Sequence, residues 1–237
     1  MAHRLDRLEA AAKELRHRSY QAAALTSALA VSASARPDLA NKAKTRAGWR
    51  RVALGSVMAR SSELVSVEAD NTYSNVGIYS FGRGLFEKPD IDGAATSAKV
   101  LIRIRAAQFI YSRLFAFEGA YAYVPREFDR YFVSSEFPAF DTDPEHLDAR
   151  WLANYLRSPE RWAELKGASK GLGVRRQRVP VEAVMDYVVW LPPIALQHAI
   201  VATASRLDEA RTSRVHSDHR IASLVPAALN QTFATHS

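Results

Sequence analysis

The densest chemistry in the sequence is cationic. Between Arg161 and Arg178 stand Arg161, Lys166, Lys170, Arg175, Arg176 and Arg178 against a single carboxylate, Glu164. The charge gathers around Lys170-Gly-Leu-Gly, where Gly171 and Gly173 let the backbone approach a partner closely and take positive φ. Arginines after such a turn can fork onto phosphate oxygens or onto the O6/N7 edge of guanine, and the Gln177 amide can pair with adenine. A solvated basic loop that merely closes a helix is the plainer alternative. Arg83, between the glycines of Phe81-Gly82-Arg83-Gly84, offers a second cationic loop, without the further glycines and Lys-Ser/Thr pair of a nucleotide phosphate loop. Arg113 lies in an aromatic, strand-like run and is either a DNA-facing cation or half of a partly buried pair with Glu118 or Glu136.

Reaction centres are harder to assemble. His216 and His219 share a helical face near Asp218, but no further ligand completes a metal site. Glu164-Leu165-Lys166 looks like half of a metal-dependent nuclease site with Pro89-Asp90 as a distant other half, yet Glu164 falls in a helical pattern. No nucleophile elbow occurs, and no Gly-x-Gly-x-x-Gly follows a strand. Leu191-Pro-Pro-Ile lacks the polar leader and the stacking aromatic with which amino-methyltransferases hold a flipped base. The expectation is a reading surface with no catalytic residue, no metal and no cofactor of its own.

Composition narrows the partners. With 32 Lys plus Arg against 25 Asp plus Glu, the net charge is +7 and the pI about 9.8, which favours a polyanion. At 237 residues and 48% hydrophobic content the chain can bury a substantial core. The absence of cysteine excludes disulfide scaffolds, thiol nucleophiles and Cys-liganded zinc. Charges every few residues from His3 to Glu9, and no apolar run near the ~18 residues that span a bilayer, predict a cytoplasmic protein without membrane contact.

Elements that must position these residues follow from periodicity. Residues 1–31, rich in Ala, Leu, Glu and Arg without Gly or Pro, predict a long helix. Leu5, Leu8, Ala12, Leu15, Ser19, Ala22 and Leu29 fall at coiled-coil spacing. Residues 32–48 are small, polar and basic and read as a linker. From Trp49 to Pro193 a mixed, strand-rich domain is expected. Val100 to Arg105 alternates Val100, Ile102 and Ile104 with Leu101, Arg103 and Arg105, which predicts a strand with one basic side. Phe109 to Phe117 and Tyr121 to Val124 are further strand candidates with Gly119 as the turn. Asp143-Pro144 and Ser158-Pro159 place capping side chains before two short helices, Leu147–Leu156 and one near Glu160–Lys166. Tyr187–Pro193 reads as a last buried strand. A second helix then runs over 194–225, its seam carried by Ile200, Ala204, Leu207 and Ile221, and residues 226–237 form a tail.

The order of Phe81–Lys88, Tyr111–Phe140, Lys170–Val179 and Leu191–Val201 resembles the target-recognition domain of the DNA specificity subunits of type I restriction-modification systems. The likeness spans Trp49 to Leu207, with Trp49–Val57 at the family's domain entry and Pro192, Pro193 and Gln197 at its domain-to-helix junction. It implies an α+β fold in which one recognition domain is flanked by two long helices that form an antiparallel coiled coil. It implies double-stranded DNA as partner, with Arg83, Arg113, Lys170, Gly171, Gly173, Arg175, Arg176, Gln177 and Arg178 as candidate contacts. Leu5, Leu8, Leu15, Gln197, Ile200 and Leu207 become the candidate subunit interface. Family subunits usually carry two recognition domains, whereas this sequence has one, so the resemblance implies a half-subunit that restores the architecture as a homodimer on a palindromic split site. A methyltransferase subunit and a restriction subunit would be the partners, using S-adenosylmethionine, ATP and Mg2+. The alternative is an orphan half-subunit that acts in assembly without reading DNA. One local departure is Ala107, where the family commonly has glycine.

Overall fold

The computed structural model describes residues 13–14, 25, 28–61, 63–166, 178–210 and 213. The chain divides into a larger unit, Val31–Val201, and a smaller one made of Met1–Ala30 and Ala202–Ser237. In the larger unit, eleven described strands form three sheets. β1 (Arg50–Ala53) and β11 (Val188–Leu191) make an antiparallel pair, so the entering and leaving segments of the domain lie side by side. A four-stranded antiparallel sheet runs in the order β2 (Met58–Arg60), β10 (Ala139–Thr142), β7 (Phe109–Tyr111), β8 (Tyr121–Tyr123). A five-stranded mixed sheet has the order β3 (Leu64–Ser66), β6 (Val100–Arg103), β9 (Phe132–Val133), β4 (Thr72–Ile78), β5 (Leu85–Asp92), its β4/β9 pair parallel.

The four-stranded sheet is apolar on both faces, which explains why its strands read as near-continuous hydrophobic runs. Phe109, Tyr111, Tyr121 and Phe140 pack with Trp151, Leu152 and Tyr155 of helix α2 (Ala149–Tyr155). Ile110, Ala122 and Ala139 point the other way, into a second core with Val76, Ile78, Ile102 and Val133 of the five-stranded sheet. Period-two geometry therefore divides one strand between two cores. The hairpin between β7 and β8 turns at Gly119, whose φ is +77°. A Cβ there would stand 2.3 Å from the Trp162 ring, so both the conformation and the packing need glycine.

Helix positions follow the capping rules with one displacement. Helix α3 (Pro159–Lys166) starts at the expected proline. For α2, however, the cap is Asp148, which accepts a hydrogen bond from the Arg150 amide at 2.8 Å. Asp143 instead closes a turn around Glu145 and His146. Helix α4 (Val181–Met185) precedes β11, and residues 194–201 are helical at the end of the unit.

Two local expectations are corrected. In β6 the two-sided pattern fails: Leu101, on the expected basic face, is buried and Val100 is 45% exposed. Arg103 is half-buried over the Phe132 ring and donates to Glu63 at 3.0 Å, while Arg105 lies 3.5 Å from both Glu63 and Asp141. The strand's cations are thus neutralised by its neighbours instead of forming a free basic side. Residues 32–48, composed like a linker, carry helix α1 (Asn41–Arg46). Its Lys44 is buried, donates to the Ala35 carbonyl at 2.8 Å, and lies 5.5 Å and 5.9 Å from the Trp49 and Trp190 ring centres. Burial pulls the ammonium's pKa down. Two indole faces and one carbonyl hold a segment whose composition signalled none of this.

The C-terminal junction has a clear physical role. Gln197 is wholly buried, its Oε1 accepting from the Asp148 amide while its Nε2 donates to the carbonyls of His146 and Pro192. Expected at an interface between subunits, it ties the helix to the domain of its own chain. Ile200 is partly buried against the same core, and Leu207, in the smaller unit, is 38% exposed. Residues 202–210 are helical; the coiled-coil seam at Leu5, Leu8 and Leu15 lies outside the described residues. No described helix is long and apolar enough to cross a membrane.

Candidate nucleic-acid interface

Three of the cations singled out from sequence sit on segments that hydrogen bonds stitch together. The tip of the β4–β5 hairpin, residues 79–84, docks on the turn between β7 and β8. Phe81 N donates to the Glu118 carbonyl at 2.8 Å, Gly82 N to that of Gly119 at 2.9 Å, and Ser80 Oγ to the Glu118 carboxylate at 3.2 Å. From the same turn, Arg113 N donates to the Glu136 carbonyl and Val179 N to the Arg113 carbonyl, both at 2.9 Å. The buried Tyr111 hydroxyl adds a bond to the Val179 carbonyl at 3.1 Å. Arg83, Arg113 and Arg178 therefore belong to one cluster of loops.

The three guanidinium groups differ. Arg178 Nε is bound to both Glu136 oxygens, at 3.2 and 3.0 Å, so much of its charge is spent on anchoring. Arg113 Nε is buried without a hydrogen-bond partner. Neither carboxylate expected beside it among the described residues is engaged with it, since Glu136 binds Arg178 and Glu118 binds Ser80. Arg83 is exposed, with Nε donating to the Ser80 carbonyl at 3.0 Å and its guanidinium 4.6 Å from the Tyr79 ring centre. Lys170, Gly171, Gly173, Arg175, Arg176 and Gln177 lie outside the described residues.

Several contributors were not evident from sequence. Tyr79 stacks on Phe86 at 4.2 Å, and Phe81, 62% exposed, tilts against Trp162 at 5.9 Å. Trp162 is fixed by a bond from Nε1 to the Leu156 carbonyl and by contact with Gly119. The glycines at positions 82 and 84 could have flagged Phe81, because such spacing implies a tip of unusual φ. Nothing in the local sequence announces that Glu136 serves Arg178 from 42 residues away.

Elsewhere in the domain acidic side chains gather. A cleft of about 440 Å³ is lined by Glu164, Glu182, Asp186 and Tyr187 among others, and its carboxylates repel phosphate. Glu164, one residue of the nuclease-like pair, lies in α3, where it accepts from Arg161 at 3.1 Å and from the Tyr187 hydroxyl. Burial, and that bond to Glu164, push the Tyr187 phenol far above its ordinary value. No group of His, Asp and Glu able to hold a metal occurs among the described residues; His216, Asp218 and His219 lie outside them.

Comparison with known proteins places the architecture. No protein-family model and no curated protein matches the sequence. Among solved structures, the HsdS subunit from Thermoanaerobacter tengcongensis superposes with a TM-score of 0.57 at 24% identity, over 79% of this chain and 48% of that one. The type I restriction-modification system S subunit from M. genitalium matches with a TM-score of 0.53 at 11% identity, over 96% of this chain and 58% of that one. A structure of a type I restriction-modification system, described for complex assembly and conformational transition, matches with a TM-score of 0.50 at 15% identity, over 97% and 57%. The chain thus has the α+β fold of type I S subunits and spans about half the length of the structures it matches.

Proposed function

We propose that this chain is a DNA-specificity subunit of a type I restriction-modification complex, non-catalytic in itself. The observation that carries the reading is the fold shared with S subunits over 79% of the chain. The loop cluster supports it, since it presents the exposed Arg83 beside loops held in place by the Arg178–Glu136 pair, the kind of cation and framed backbone that can grip a duplex. In this reading the loop from Lys170 to Arg178 lies against phosphates and base edges. A methyltransferase subunit supplies S-adenosylmethionine chemistry, and a restriction subunit supplies cleavage driven by ATP with Mg2+, in the cytoplasm. Two copies pair through their helices and present two recognition domains to a palindromic split site, the arrangement that two-fold symmetry produces.

The test is selection of duplexes from a randomised DNA pool by the full chain, alone and with its methyltransferase partner, followed by sequencing. Enrichment of two inverted half-sites at fixed spacing is the expected result. Salt-sensitive retention of DNA without any enriched motif would overturn specific recognition and leave a role in assembly.

A further inference from the structure

The β4–β5 hairpin tip is prepared for more than phosphate contact. Phe81 is held at φ +65°, a backbone conformation that costs a residue with a Cβ and is frequent where structure serves a site. Its ring stays 62% exposed, so burial does not account for keeping a phenylalanine there. Gly82 and Gly84 on either side of Arg83 also have positive φ, +64° and +86°. The tip is rigid by construction: Tyr79 N donates to the Gly84 carbonyl at 2.9 Å, and Phe81 N and Gly82 N are bound to the β7–β8 turn.

Arg83 is oriented within that frame. Its Nε is occupied by the Ser80 carbonyl and its plane is supported by Tyr79, itself stacked on Phe86. No described carboxylate pairs with it. An arginine held through Nε and one face presents its terminal nitrogens as a ready fork, with less rotamer freedom to lose on binding than a free side chain. Such a fork matches O6 and N7 of guanine in the major groove, and the exposed apolar ring beside it matches the C5 methyl of thymine. A phosphate would also satisfy the fork, but it would leave Phe81 against solvent.

We infer that this hairpin tip is a base-reading element in which Arg83 takes a guanine bidentately and Phe81 packs on the methyl edge of an adjacent thymine. The inference rests on the proposed DNA-recognition function and assigns to one loop a specific share of the sequence read. The experiment compares duplex selection by the full chain with that by Arg83→Ala and Arg83→Lys, each checked for unchanged thermal unfolding. Arg83 is exposed, and the lysine variant keeps its charge. The expected result is a motif retained at all positions but one, where preference for guanine falls roughly ten- to hundred-fold in both variants. Weaker binding by Arg83→Ala with every motif position intact would make Arg83 a phosphate contact and overturn the inference while leaving the function standing. A wild-type chain that enriches no motif would overturn both. For Phe81, replacing the neighbouring thymine by uracil should weaken the wild type about four-fold, the worth of one methyl, and leave Phe81→Gly unaffected. Equal loss in both proteins would remove Phe81 from the contact.

Discussion

Ala107 shows how one side chain can be carried at a cost. It is exposed, has φ +70°, and keeps its amide bonded to the Val124 carbonyl at 2.9 Å. An L-residue in that region costs roughly 1–2 kcal/mol, and glycine's greater freedom in the unfolded chain returns about 0.4–1 of it. Ala107→Gly should therefore stabilise the fold by about 0.5–1 kcal/mol. Urea titration would read this as a higher midpoint at unchanged slope, and a lower midpoint would show that the methyl makes contacts worth more than the strain. The departure from glycine was visible in the sequence, since the resemblance puts glycine at this position. Which residues share a bond was not visible: the partner of Arg178, the isolation of Arg113 Nε and the burial of Gln197 all depend on segments brought together by the fold.

At the scale of elements, legibility tracked the number of sides buried. β8, β11 and both short helices on either side of Ser158 were readable because apolar runs, a turn glycine and Pro at a helix start are local signals, whereas the strand expected over Phe109 to Phe117 ends at Tyr111 and gives way to a 3-10 turn at Ala116–Glu118. β6 misled because a half-buried arginine over a ring looks, in sequence, the same as an arginine facing water. α1 was missed because its hold comes from Trp49 and Trp190, far apart in the chain. The stretch from Lys170 to Arg178 was conspicuous by charge alone, and of it only Arg178 is described, bound to Glu136. If Arg175 and Arg176 each meet a phosphate, Arg175→Ala with Arg176→Ala should weaken duplex binding and reduce the log–log salt slope by about 2. Affinity unchanged from low to high salt would exclude the loop from the interface.

For the whole molecule, the smaller unit carries the assembly question. Leu25, Leu29 and Leu207 are 65%, 59% and 38% exposed. Leucines left open on helical residues are what a pairing copy would cover. Sedimentation of the wild type should show a dimer at micromolar concentration, and Leu207→Glu should shift it to monomer without altering thermal unfolding of the larger unit. A wild type that remains monomeric throughout would argue against pairing through these helices. Leu29 and Leu207 belong to the coiled-coil seam expected from the sequence, whereas Leu25 stands outside it.

The pairing of β1 with β11, Arg50 opposite Leu191, means that the polypeptide enters and leaves the strand-rich domain through adjacent doors. Everything between those positions is a closed excursion that starts and ends at one two-strand gate. A different excursion with the same two-strand gate could be exchanged for it without moving the point of entry relative to the point of exit. Under the proposed function, specificity would then change by replacement of a whole cassette.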